Sequence, residues 1–285
     1  PTYRFLRSGR AYINFALKTA TKAPVKIAIL DSDNKVLREW ERQTKAGLNR
    51  TWWDLHLTGP RLIELRTTPV ENPNIWIEPR FWGKDLRPVT HWGVSLKDAG
   101  GPIALPGKYT VRITVDDKTY TQPFELKRDP HTLASDEDLK RSIDLQTSVC
   151  DLISSTADFV NHIEWVRKQL DVAIAMLRSS KTNPDQLKTD EELNRKLEEI
   201  EHKVLSNALT MSDDKYFVES YKLYFNLVWL YAEIGPGGGD VAGGSGFPPT
   251  DTEVSLMHEM EKELAAVKAE YADLVAKQPP LTIRP

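Results

Sequence analysis

The hydrophobic spacing of this chain changes at Arg128-Asp-Pro130, from every second residue to every third or fourth. A period of two lines one face of a strand with apolar side chains, and a period near 3.5 lines one stripe of a helix. At 285 residues the chain is long enough to bury two cores. The sequence therefore predicts a β + α multidomain protein, with a β domain over 1–130 and a helical domain over 131–285.

In the first half, Ile13, Phe15 and Leu17 alternate with polar or small residues, and Val25, Ile27 and Ile29 repeat the pattern. Asp31-Ser-Asp-Asn34 is a run of turn formers, so residues 25–42 read as a hairpin. Gly47 precedes a strand expected over Leu48–Leu57, with Trp53, Leu55 and Leu57 on one face. Trp53 is expected to pin a β core, Trp52 to be half covered, and Asp54 to accept a turn or backbone hydrogen bond. Pro106-Gly107 turns the chain into Tyr109, Val111, Ile113 and Val115, and Asp116-Asp117 turns it again into Thr119–Leu126. Pro123 in that last run marks an edge strand or a bulge. About seven short alternating strands read as an antiparallel sandwich of immunoglobulin-like type.

Residues 58–101 break the pattern and are too long for an ordinary loop. They carry Trp76, Phe81, Trp82 and Trp92 among several prolines. Two readings follow: the aromatics pack on the sandwich or a neighbouring domain, or they form an exposed platform for sugar rings.

In the second half, Ser135 with Asp138 forms a helix N-cap signal, and the apolar steps beyond it predict one long helix over 135–179. Asn183-Pro184 breaks it. Thr189 with Glu192 reads as the capping box of a second helix, and Ser212-Asp-Asp214 as the cap of a third running to Ile234. The Gly-rich stretch over 235–249 is a flexible connector, since no Lys-Ser/Thr follows to make a phosphate loop. Thr250 with Glu253 caps a last helix in which Met257, Met260, Leu264, Val267, Tyr271 and Leu274 keep a heptad rhythm. Four helices with short connections predict an antiparallel bundle, the first helix projecting beyond the rest.

The six His are scattered and make no zinc pattern, and there is no nucleophile elbow, dinucleotide fingerprint or calcium loop. Cys150 lies on the apolar stripe of the long helix and reads as an inert core thiol. The acidic residues of the helices read as solvated faces. A net charge of −3 gives no basic field for nucleic acid, and no apolar run reaches the roughly 20 residues of a membrane helix. No catalytic constellation, cofactor motif or metal motif is present in the sequence. The start at Pro1 without a signal peptide reads as either a mature form or a piece of a longer chain.

Val25-Lys-Ile-Ala-Ile-Leu-Asp31, Val36-Leu-Arg38, Ala46-Gly-Leu-Asn49 and Trp53-Asp-Leu55 resemble the FlgD-type immunoglobulin-like module. Pro106-Gly-Lys-Tyr-Thr-Val-Arg-Ile-Thr-Val-Asp-Asp-Lys-Thr-Tyr-Thr-Gln-Pro-Phe-Glu-Leu-Lys-Arg-Asp-Pro130 resembles the segment before the helical tail of bacterial BNR/Asp-box, sortilin-like β-propeller proteins. That resemblance implies a C-terminal accessory region of an exported glycosyl-hydrolase-like or sialidase-like parent. Its implied partner is the parent's upstream propeller; a glycan is the partner expected of the Trp-rich insertion, and self-association is the expectation from the long first helix and the heptads of the last. No Asp-box repeat occurs in these residues, so the propeller's activity does not transfer, and Asp117 stands where the family's last hairpin has Gly.

Overall fold

The computed structural model describes residues 10–70, 72–90, 100–128, 130, 133–207, 209–210, 219–235, 237, 243–244 and 246–277. Its described elements are antiparallel sheets and four helices, a mixed β and α protein. The strands are β1 (Ala11–Leu17), β2 (Val25–Leu30), β3 (Val36–Arg42), β4 (Gly47–Trp53), β5 (Glu64–Leu65), β6 (Arg87–Pro88), β7 (Gly107–Val115) and β8 (Lys118–Leu126). The helices are α1 (Asp136–Ser180), α2 (Pro184–Val204), α3 (Leu223–Ile234) and α4 (Asp251–Ala276).

β3, β2, β7 and β8 form one sheet in that order, β1 pairs with β4, and β5 with β6. The expected hairpin over 25–42 is present as β2–β3. Pro123 lies on β8, the edge strand, where its missing N–H interrupts no second ladder. In the β7–β8 turn Asp116 takes the left-handed backbone, φ 49°, between the paired Val115 and Lys118. The position that would favour Gly is thus 116 rather than 117.

The β core joins residues of both larger sheets. Trp53 is 1% exposed and meets Tyr109 and Phe124 edge-on at 5.5 and 6.2 Å. Its indole Nε1 donates to the His56 carbonyl at 2.8 Å, and Asp54 accepts from the His56 amide at 3.1 Å, as expected of a turn acceptor. That turn corrects the expected strand end: β4 stops at Trp53, and Leu55 turns into the left-handed region at φ 65°. The chain then pairs with 102–104 instead, through Leu57 N to Pro102 O and Ala104 N to Leu55 O.

α1 begins at the Ser135–Asp138 capping box and α4 at the Thr250–Glu253 box, both as predicted. The second helix differs. Asn183 caps it, accepting from the Gln186 amide at 3.2 Å, and Pro184 sits at its first turn, where a missing N–H costs nothing. Thr189 and Glu192 lie inside α2, so the expected box there is a chance spacing. Asn183 also holds φ at 50°, a conformation Asn tolerates better than Ala. Asn183→Ala is expected to lower stability by about 1–2 kcal/mol, read as a shifted urea midpoint with unchanged slope. α3 begins at Leu223; the expected cap at Ser212-Asp-Asp214 lies outside the described residues.

Pairings along α1 fix the helix order. Arg178 meets Glu191, while Arg167 meets Glu198 and Glu201, so α1 and α2 run antiparallel. α3 also runs against α1: Gly235 lies by Gln146, and Tyr224 lies by Ile63, whose neighbours bond to Asn161. α4 runs with α1, since Lys268 reaches Ser155 and Tyr271 reaches His162. α2 and α3 therefore occupy successive stretches of α1 rather than alternating around it. Neither is long enough to cover the 45 residues of α1 alone.

Candidate functional site

α1 is close-packed on several sides along its middle, and one side is polar. Ser154, Asp158, Asn161 and Glu164 recur at spacings of four, three and three, which places them on one face of the helix. That face grips the extended segment after β4. Arg61 N donates to Ser154 Oγ at 3.1 Å, and the Arg61 guanidinium forks onto Asp158 at 2.7 and 2.6 Å. Asn161 reads both sides of the backbone, accepting from Glu64 N at 2.7 Å and donating to Leu62 O at 2.9 Å. Glu164 accepts from the amides of Arg66 and Thr67 and from Thr67 Oγ1, the latter two at 2.8 and 2.7 Å. Between these contacts Ile63 and Leu65, each 1% exposed, drop into the helical core, and Val89 follows them from the other side of β5–β6. Part of the segment 58–101 is thus built into the helical core.

Behind Glu164 sits Arg167, also buried. Its guanidinium reaches Glu164 at 3.6 Å, Glu201 at 3.0 Å and Glu198 at 2.7 Å. One cation faces three carboxylates, an excess of negative charge that favours a proton on a buried one of them. Burial, reinforced by the negative charge of Glu164, pushes the Glu201 carboxyl up to about 8 against the opposing pull of Arg167. Burial also raises Asp171, which accepts from Asn194 at 2.9 Å. Asp158, held by the Arg61 fork, is lowered. Glu198 links this cluster to an open cleft of about 410 Å³ between α1 and α2, lined by Asp171, Arg178, Glu191, Asn194 and Arg195 among others.

The cluster can hold a proton and lock a strand to two helices. Glu201 and Glu164 are sealed, with side chains 2% and 0% exposed, so neither presents its carboxyl to an incoming molecule. The Cys150 thiol is buried, and that burial pushes it up to about 11, the behaviour of a core thiol rather than a nucleophile.

The described aromatic residues of the insertion differ in exposure. Phe81 is buried. Trp76 is half-buried, packs edge-on to Phe81 at 6.2 Å, donates from Nε1 to Thr68 Oγ1 at 2.9 Å and carries Lys168 5.8 Å from its ring centre. Trp82 is 72% exposed. Trp92 lies outside the described residues. Trp82→Ala is expected to change the unfolding free energy, read from urea titration, by less than about 0.5 kcal/mol, since it removes no buried packing.

The ladder on α1 differs from the sequence reading, in which the helical acids form solvated faces. No local signal marks it, since Asp151, Ser155, Thr156 and His162 share the stretch with Asp158, Asn161 and Glu164. Among the described residues no group of three or more His, Cys, Asp or Glu is placed to hold a metal ion, and no helix is long and apolar enough to cross a membrane. No protein-family model, no curated protein and no solved structure matches the chain.

Proposed function

We propose that this chain is a non-catalytic accessory region of a larger exported propeller protein, packing on the propeller or spacing it. In this reading the β half is an immunoglobulin-like sandwich of FlgD type and the helices are a bundle built on α1. The observation that carries the proposal is the ladder on α1: Asp158, Asn161 and Glu164, polar groups that could have served chemistry, are spent on joining the strand-rich half to the helices. Such a joint suits a part that keeps a fixed shape between neighbours. The purified chain is expected to leave a broad panel of fluorogenic glycosides unhydrolysed. Turnover that disappears on a single substitution would overturn the reading, as would a coding sequence with no propeller upstream.

A second reading, a helical arm that self-associates or docks a partner, is favoured by the outer side of α1. Trp165, Val172 and Met176 are 54, 53 and 65% exposed at spacings of seven and four. Light scattering at rising concentration separates the two, with a monomer throughout removing self-association. The remaining alternative, sugar binding by the Trp-rich insertion, rests among the described residues on the exposed ring of Trp82.

A further inference from the structure

The outward face of the β1–β4 ribbon holds three arginines on two aromatic rings. The cross-strand pair Tyr12–Trp52 stands at its centre, with Tyr12 60% and Trp52 40% exposed. The guanidinium carbons of Arg10 and Arg42 lie 5.3 and 4.9 Å from the Trp52 ring centre, and that of Arg50 lies 5.6 Å from the Tyr12 ring centre. Arg50 Nε also donates to Asn14 Oδ1 at 2.7 Å, across the ribbon. All three arginines are exposed, and among the described residues none of them meets a carboxylate. The surrounding sequence does not neutralise them: the first thirty residues hold six Lys or Arg and no Asp or Glu, in a chain whose net charge is −3. Two like charges gathered on one indole, with a third beside them and no counterion, are repulsive until an anion arrives.

We propose that this face binds a linear carboxylated polysaccharide, a polyuronate. The arginine forks pair with successive carboxylates, and the Tyr12 ring offers its free area to a sugar ring. Size decides against a protein surface. A ribbon of seven residues by two strands is ~24 Å long and ~10 Å wide, roughly 240 Å², against about 800 Å² per partner in a stable protein interface. A single extended polymer matches that strip. Single-stranded nucleic acid binding relies on successive free rings for base stacking, and here the Trp52 ring is already engaged by two guanidinium groups. The inference does not rest on the accessory reading, which stands or falls on glycoside turnover and the upstream coding sequence.

The test is calorimetric titration at low salt with galacturonate oligomers, their neutral methyl esters, poly-L-glutamate and oligo(dT). The acidic oligomer is expected to bind and the methyl ester not to. R42A and R50A should each weaken binding about tenfold, and R10A/R42A/R50A should abolish it, with an unchanged urea midpoint reporting an intact fold. Added salt should weaken it further. Silence with the acidic oligomer overturns the proposal. So does equal binding of the methyl ester, retention by the triple variant, or tighter binding of poly-L-glutamate or oligo(dT).

Discussion

Glu164→Ala is expected to destabilise the chain by about 3–5 kcal/mol. The side chain is fully buried and takes three donors from Arg66 and Thr67 while facing Arg167 at 3.6 Å. Removing it orphans the buried amide and hydroxyl of Thr67 and the part-buried amide of Arg66, and leaves the Arg167 cation with less compensation; each loss carries a desolvation cost. The break falls at the joint between halves, so the effect has a location as well as a size. Residues 60–67 should become protease-sensitive and lose amide protection, while the β2–β7 ladder, which shares no partner with Glu164, keeps its own. Glu164→Gln should cost less, since one amide oxygen still accepts, and it removes a negative charge that raises Glu201. A variant as stable as the parent, or one whose lost protection spreads evenly, would remove the ladder from the list of things that hold this chain together.

Local physics made most of the elements legible in the sequence. Capping boxes depend on residues three apart, and alternation depends on residues two apart, so Ser135, Thr250, Trp53 and the β2–β3 hairpin could be read directly. The same locality misplaced the start of α2, because Thr189 and Glu192 have the spacing of a box without the backbone of one, while Asn183-Pro184 supplies the true cap. The ladder was out of reach for a different reason. Glu164 and Thr67 are 97 residues apart, and an acid in a helix looks the same to a sequence pattern whether it meets water or a strand. The arginine face was hidden likewise: Arg10, Arg42 and Arg50 are scattered in the chain and meet only when β1 pairs with β4 and β3 delivers its last residue beside them.

Glu201 gives the joint a pH dependence opposite to that of an ordinary surface carboxylate. Unfolded, it titrates near 4.5; folded, burial and Glu164 hold its proton to about 8. The folded state therefore binds more protons across that window, and stability must fall as pH rises through it. The loss begins near the unfolded value, is complete above the folded one, and is on the order of a few kcal/mol. Asp158 works in the other sense: its carboxyl is lowered by Arg61, so its contribution is lost only as pH falls through the acid range. A neutral side chain at 201 separates the two. Glu201→Gln keeps an oxygen for Arg167, which now bonds it at 3.0 Å, and has no proton to lose. Urea unfolding from pH 5 to pH 9 should show the parent losing stability and the Gln variant staying level, the two crossing as Glu201 ionises. In the Glu164→Gln background the fall should start at the same pH but end at a lower one and be smaller, because the charge that helps to hold the proton in the folded state is gone. Parallel curves for parent and Glu201→Gln would mean that Glu201 is ionised in the folded chain at neutral pH, and that Arg167 alone outweighs its burial.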